Sequence, residues 1–284
     1  MKKKTYLVAV LVFGILTACS ESSSDWNENN STGGRGKLVR QIEVYDHDYS
    51  TSVPSEIMDF YYDNTNRVTS ICFNGNGPTF IRPQGIQLFY DLNGNKMTLS
   101  WRPANSTQVP MPGDGEGYGM GYGILNERRM LSEECFEETE SSMASGEYKD
   151  GISYYFYDEQ GQTLLEKREG RYETSRTWTW ENGNVVNGYG GNDKGYTYTE
   201  YENKVNIHLN RLFTQTYGED MYAISLCGYI GKKDNNLIAT LKENSGTVVY
   251  SYELDTAGYP IQIDFGKKYT AFIYQYFGKF LPIN

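Results

Sequence analysis

Basic side chains are in short supply: 26 Lys and Arg stand against 36 Asp and Glu over 284 residues. Nucleic-acid binding needs clustered cations to neutralise phosphates, and the absence of a Lys/Arg stripe argues against that partner. The same surface would be repelled by anionic lipid headgroups. Histidine is nearly missing, with only His47 and His208, and no Cys-x-x-Cys occurs, so zinc lacks a ligand set and no metal is expected. There is also no Gly-x-Ser-x-Gly elbow and no Gly-Lys-Ser/Thr after the glycine-rich stretch, which removes the familiar serine-hydrolase and phosphate-loop readings. Long apolar runs are lacking too. The only one, from Tyr6 to Ala18, is too short for a bilayer core, which takes about 20 residues.

That run follows Lys2, Lys3 and Lys4 and ends in Leu16-Thr17-Ala18-Cys19, so it reads as a secretory signal and resembles a bacterial lipoprotein signal. The resemblance implies that Cys19 is acylated and becomes the new N-terminus. Removal of residues 1–18, which hold three lysines and no acid, leaves 23 basic and 36 acidic side chains. Membrane attachment is then expected through the acyl chains on Cys19 only, each buried methylene contributing about 0.8 kcal/mol. Residues 20 to 36 are rich in Ser, Asn and Gly, so residues 19–36 are expected to form a lipidated, disordered tether. Once Cys19 is lipidated, Cys72, Cys135 and Cys227 remain, an odd count read as three small buried hydrophobes.

What the chain has in abundance is tyrosine, 26 copies against 12 Phe and 4 Trp, together with 30 Gly. Tyrosine suits a half-wet sheet, where the ring packs and the hydroxyl reaches water. One pattern recurs: an aromatic alternation, an acidic residue, a few turn residues, and a short alternating strand. Phe60-Tyr61-Tyr62-Asp63, Leu88-Phe89-Tyr90-Asp91, Tyr155-Phe156-Tyr157-Asp158, Trp178-Thr179-Trp180-Glu181, Tyr198-Thr199-Glu200-Tyr201-Glu202 and Tyr250-Ser251-Tyr252-Glu253 each open a copy. Asn126 to Leu131 fits a degraded seventh, which makes Leu131 to Phe136 a strand despite its glutamates. Period-two alternation broken by Asp, Asn and Gly predicts β-hairpins.

Serial hairpins with short connections predict an all-β fold, a large antiparallel meander spanning residues 37–284 as one domain. So many strands must curl into a strongly curved sheet or an open or closed barrel, with at most one short helix. Residues 102 to 123, with three prolines and a glycine at every second position from Gly113 to Gly123, are expected to form a mobile loop. Residues 210 to 236 are read as an excursion that holds any short helix, a place where function tends to sit on a β scaffold.

The aromatic-x-Tyr-Asp-x-x-Gly hairpins resemble the Tyr-Asp repeats of Rhs-type proteins. Lipoprotein signal, serial Tyr-Asp hairpins and Gly228-Tyr229-Ile230-Gly231-Lys232-Lys233 together resemble a domain family of Bacteroidota lipoproteins described as porin-like in fold. The resemblance covers residues 36 to 284 and implies an outer-membrane lipoprotein facing the periplasm or the cell surface. It brings no catalytic residues with it.

Aromatics are the leading site candidates. Trp178 and Trp180 lie two apart, so on a strand they share a face that Tyr196 and Tyr198 extend. Exposed, that row is a stacking platform for a sugar or another flat ligand; buried, it is the core layer of the sheet. Trp101, Tyr118 and Tyr122 border the glycine run and form a second candidate set. Asp46-His47-Asp48 reads as a turn before it reads as a cation site. Asp91 to Asn95 likewise lacks the spacing of a calcium loop. The expectation is a protein without cofactor or catalytic centre that binds an unidentified ligand or partner, a glycan or an envelope protein. A structural or adhesion role, and a hydrolase with an unrecognised carboxylate pair, remain the alternatives.

Overall fold

The computed structural model describes residues 37–48, 50–74, 86–103, 118–142, 146–170, 173–188, 191–213, 219–243 and 246–276. The signal and tether segments, residues 1–36, lie outside the described residues. Strands run in chain order as β1 (Leu38–Asp46), β2 (Glu56–Tyr62), β3 (Val68–Asn74), β4 (Ile86–Asn93), β5 (Lys96–Pro103), β6 (Tyr118–Leu125), β7 (Leu131–Ser142), β8 (Gly146–Tyr157) and β9 (Thr163–Gly170). There follow β10 (Thr174–Thr177), β11 (Thr179–Glu181), β12 (Asn184–Gly188), β13 (Gly191–Glu202), β14 (Asn236–Glu243), β15 (Gly246–Leu254), β16 (Pro260–Phe265) and β17 (Tyr269–Tyr276).

Every described ladder is antiparallel. Neighbours in sequence pair from β1 through β10 and again from β11 through β17, and β1 also pairs with β17. The sheet is not closed by a ladder. Its two ends are β10 and β11, which are consecutive in the chain and separated by the single residue Trp178. Because those ends are covalently adjacent, the meander must curl back on itself, as the sequence predicts. At the seam, Trp178 N–H still donates to Leu164 O (2.9 Å) in the manner of β10. Gly188 backs onto the same point at a φ of +129°, where an added Cβ would lie 2.6 Å from Trp178 Cδ1 and 2.7 Å from Thr177 O.

The repeated acidic residue has a local purpose. Asp63 Oδ1 accepts from the amides of Thr65 (2.8 Å) and Arg67 (3.0 Å), Asp158 Oδ1 from those of Gln160 (2.9 Å) and Gln162 (2.8 Å), and Asp255 Oδ1 from those of Ala257 and Tyr259 (2.9 Å each). The residue three positions on takes a left-handed backbone, with φ of 63° at Asn66, 83° at Gly161 and 81° at Gly258. The Asp-x-x-Gly repeat is thus an Asx turn, in which a side chain stands in for a backbone acceptor. Asn126 and Arg129 (φ 59°) build the degraded copy the same way, with Met130 N–H donating to Asn126 Oδ1 (3.1 Å).

Two expectations change. The stretch read as a loop through Gly123 is strand from Tyr118 onward, and Lys96–Pro103 is strand before it. Its alternate glycines obey the period of two: Gly123 and Gly121 pair with Met97 and Leu99, both fully buried, so they fall on the inward face. The excursion between β13 and β14 is also not a surface feature. It carries a 3₁₀ turn, Leu209–Phe213, and one short helix, α1 (Glu219–Leu226), and it buries Val205, Ile207, Leu209, Leu212, Ile224 and Tyr229.

This segment plugs the end of the curled sheet where the tight turns gather. Leu131 N–H donates to Tyr229 O (2.8 Å), Lys232 N–H to Gly161 O (2.8 Å) and Asn235 N–H to Gly183 O (3.0 Å), each beside a different hairpin turn. Tyr229 Oη donates to Val68 O (2.6 Å), and its ring lies 5.2 Å from that of Tyr90. Val39 N–H donates to Asn206 Oδ1 (2.9 Å), tying the first strand to the same plug.

Candidate functional site

Trp178 and Tyr196 are each 5% exposed, and Trp180 and Tyr198 are half-buried and packed against the core. Trp180 Nε1 donates to Thr163 O (2.7 Å), and Tyr198 Oη donates to Val185 O (2.5 Å) and Asp234 Oδ1 (3.0 Å). These four are a core layer, with the polar tips of Trp180 and Tyr198 anchored, the second of the two arrangements that the sequence allows. Trp178 and Trp180 do share a face, but it is the inward one: Thr177, Thr179 and Glu181 are exposed between and beside them, even though Trp178 sits in the break between β10 and β11 and the register shifts between Thr179 and Trp180. Trp101 and Tyr118 fall on β5 and β6 with side chains outside the described residues. Tyr122 is half-buried with Lys96 Nζ 4.6 Å from its ring centre.

The plug concentrates buried polar groups. Asp234 accepts from Val185 N–H (2.8 Å) and from Asn210 Nδ2 (3.1 Å), and Lys233 Nζ donates to the carbonyls of Asn203 (2.7 Å) and Val205 (2.5 Å). Burial pushes the Lys233 ammonium down to about 8. Burial also holds the His208 imidazole well below its ordinary range, with the charges of Arg211 and Lys233 adding to the effect. All of these contacts are internal, so the cluster sets the plug in place.

A pH dependence follows. The unfolded chain protonates this histidine near pH 6.5, whereas the folded chain keeps it neutral, so the unfolded state binds the extra proton as pH falls. The contribution is complete above about pH 6.5 and is lost below it, with a slope approaching about 1.4 kcal/mol per pH unit. Lys233, held at about 8 in the folded chain, begins to lose its proton there before it does in the unfolded chain and so acts with the same sign. Urea unfolding at about pH 7.5 and about pH 5 is expected to show lower stability at the acid value. His208→Leu should remove most of the difference; equal wild-type stability at both values would contradict it.

Another accessible aromatic surface lies on the outer face where the first and last strands meet. Outward positions of β17 and β1 place Phe272 opposite Glu43 and Tyr274 opposite Gln41, while Glu43 and Gln41 face Ile57 and Asp59 of β2. Tyr45 and Phe272 meet edge to face, with centroids 5.5 Å apart and an interplanar angle of 88°. The hydroxyls of Tyr45 and Tyr274 both donate to Glu43 Oε2, at 3.0 Å each. Tyr274 is 45% exposed. Burial, then the Glu43 carboxylate, pushes the Tyr45 phenol up to about 12, and the same causes raise Tyr274. Both phenols therefore stay protonated as donors. Polar groups rim the rings: Gln41 Nε2 donates to Asp59 Oδ1 (2.7 Å), and Thr270 Oγ1 donates to Asp264 Oδ1 (2.6 Å). Sequence reasoning missed this set because Glu43 and Tyr274 are 231 residues apart. The alternation of Phe272, Tyr274 and Tyr276 on one strand was the available signal.

A cleft of about 400 Å³ lies between two hairpin turns, lined by Asn126, Glu127, Arg128, Met130, Ser132, Tyr157 and Asp158. Asp158 there holds its own turn, and Arg128 Nη2 donates to Glu159 O (2.5 Å). Burial opposes ionisation of Asp63 and Asp255, but hydrogen bonds from Arg67 and Thr65, and from Lys37 and turn amides, outweigh it and hold both below the usual carboxylate range. That is opposite to a catalytic acid. Among the described residues no group of three or more His, Cys, Asp or Glu could hold a metal ion. Asp46 and Asp48 pair instead with Lys268, both at 3.2 Å. Cys72 and Cys227 are buried thiols, while the Cys135 side chain lies outside the described residues.

Fold and surface together define an antiparallel β meander filled at one end by its own chain. It is similar to two solved structures. One is a porin-like protein from Bacteroides uniformis, 13% identical with a TM-score of 0.38, the match covering 84% of this chain and 98% of that one. The other is a porin-like protein from Bacteroides vulgatus, 11% identical with a TM-score of 0.34 and the same coverage of 84% and 98%. The overlap is loose, and the fold rests on its own strand pairings. No protein-family model and no curated protein matches the chain.

Proposed function

We propose that this is a lipid-anchored protein of the outer membrane, facing the periplasm or the exterior, that does not cross the bilayer and binds a ligand or partner on its outer face. The observation that carries this reading is the contrast between a filled interior and a polar exterior. Among the described residues, the plug fills the tight-turn end with buried side chains bonded to the hairpin turns. Outward positions such as Lys167, Ser175, Thr177, Thr179, Glu181, Lys242, Ser251 and Glu253 are exposed. A spanning barrel needs an apolar lipid-facing band across its strands instead. Among the described residues no helix is long and apolar enough to cross a membrane.

The position of the first described residue adds a direction. Lys37 is ion-paired with Asp255 at a tight turn, and its Nζ lies 5.2 Å from the Tyr259 ring centre. The chain therefore enters the sheet at the plugged end, and it is to that end that an anchor on Cys19 is tethered. Cys19→Ala is expected to move the protein from the membrane to the soluble fraction. Undiminished membrane association would contradict both the anchor and the non-spanning body.

A further inference from the structure

We propose that the outer face formed by β17, β1 and the start of β2 is a platform for a neutral oligosaccharide, built on Tyr45, Phe272 and Tyr274 around Glu43. The proposal deepens the reading above, on which it rests in taking the outer face as the working surface. A sugar ring offers an apolar C–H face and a rim of hydroxyls, so its recognition needs an aromatic face with hydrogen-bonding groups beside it. Phe272 and Tyr274 are two apart on one strand, which sets their rings roughly 7 Å apart along it. Tyr45 braces Phe272 from the neighbouring strand at 5.5 Å.

Glu43 gives the patch its order. Both phenols donate to Oε2, which fixes the two rings without ligand, while Oε1 accepts no hydrogen bond from the described residues. That oxygen belongs to the carboxylate that both phenols hold, and it keeps its capacity to accept from a sugar hydroxyl. Gln41, Asp59 and Gln262 supply further acceptors and donors within one or two strands. Three carboxylates, that of Glu43 on the rings and those of Asp59 and Asp264 on the neighbouring strands, would repel an acidic chain, which selects a neutral one. They also disfavour the other occupants. Protein interface cores are depleted of charge, and a lipid-binding face would present continuous apolar surface with basic residues.

The test uses the full mature chain carrying Cys19→Ser, titrated calorimetrically with xylohexaose, cellohexaose and mannohexaose, and with hexagalacturonate as the acidic comparison. At least one neutral hexaose is expected to bind, and hexagalacturonate is not. Tyr274→Ala is expected to weaken binding about tenfold, and Glu43→Gln about threefold. Tyr274→Phe, which keeps the ring, should retain most of it. Val249→Ala, at an exposed apolar position on β15, should change nothing. Tyr274 is 45% exposed, so its replacement leaves the fold intact. The proposal is overturned by failure of every neutral hexaose to bind at millimolar concentration, by preference for hexagalacturonate, or by binding that Tyr274→Ala leaves unchanged. Such a failure would not touch the membrane release of Cys19→Ala, and retention of Cys19→Ala in membranes would not alter this titration.

Discussion

Gly188→Val is expected to lower stability by about 3–5 kcal/mol, the combined cost of a strained backbone and an overpacked contact. Gly188 sits at a φ of +129°, where a β-branched residue has no comfortable conformation. The added Cβ would stand 2.6 Å from Trp178 Cδ1 and 2.7 Å from Thr177 O. Neither neighbour can retreat, because Trp178 is 5% exposed and its amide is committed to Leu164 O. The position matters beyond its own contacts. This is where the two ends of the meander meet without a ladder, so packing of Gly188 against Trp178 adds to the hydrogen bonds there, those of the Trp178 amide to Leu164 O and of Trp180 Nε1 to Thr163 O, both on β9. Thermal unfolding measures the effect, and an unchanged midpoint would mean that the seam is not held there.

Tyr229→Ala is expected to cost about 3–5 kcal/mol, the range for truncating a large buried aromatic. The Tyr229 ring is 1% exposed and lies 5.2 Å from that of Tyr90; its hydroxyl donates to Val68 O at 2.6 Å. Truncation removes three things together: the ring's packing, the hydroxyl bond, and part of the contact that holds the plug against β3 and β4. Tyr229→Phe separates them, since it loses only the hydroxyl bond, worth about 1 kcal/mol. A plug that merely rested on the sheet would show no such ranking in denaturant unfolding.

The hairpins were legible in the sequence because their cause is local. An Asp accepting two amides within its own turn, followed by a residue tolerant of positive φ, leaves its mark in five consecutive positions, as at Asp158 to Gln162. Even the degraded copy at Asn126 to Met130 kept enough of that chemistry to be recognised. The plug was not legible because its partners are distant. Tyr229 bonds Val68 across 161 residues, and Val39 bonds Asn206 across 167. Its polar stretches, Tyr217 to Asp220 and Lys232 to Asn236, look like loop chemistry, although Lys233 and Asp234 spend their polar atoms inside. The end of the glycine run misled in the opposite direction, since Gly121 and Gly123 are strand residues on the inward face, while residues 104–117 lie outside the described residues.

The aromatic site shifted for a similar reason. Trp178 and Trp180 share a face, but local alternation does not say which face is inward, and here it is the one that packs against the core. Tyr45 and Tyr274 come together only because β1 pairs with β17, a closure that no local pattern announces.

Hydrogen exchange on the mature protein tests the filled interior most directly. The amides of Cys227 and Tyr229, which donate to Ala223 O (3.0 Å) and Ile224 O (3.1 Å), are predicted to exchange as slowly as those of β1 and β17. Exchange of residues 223–230 at the rate of exposed loops, with the strands still protected, would show an unfilled sheet and contradict the account.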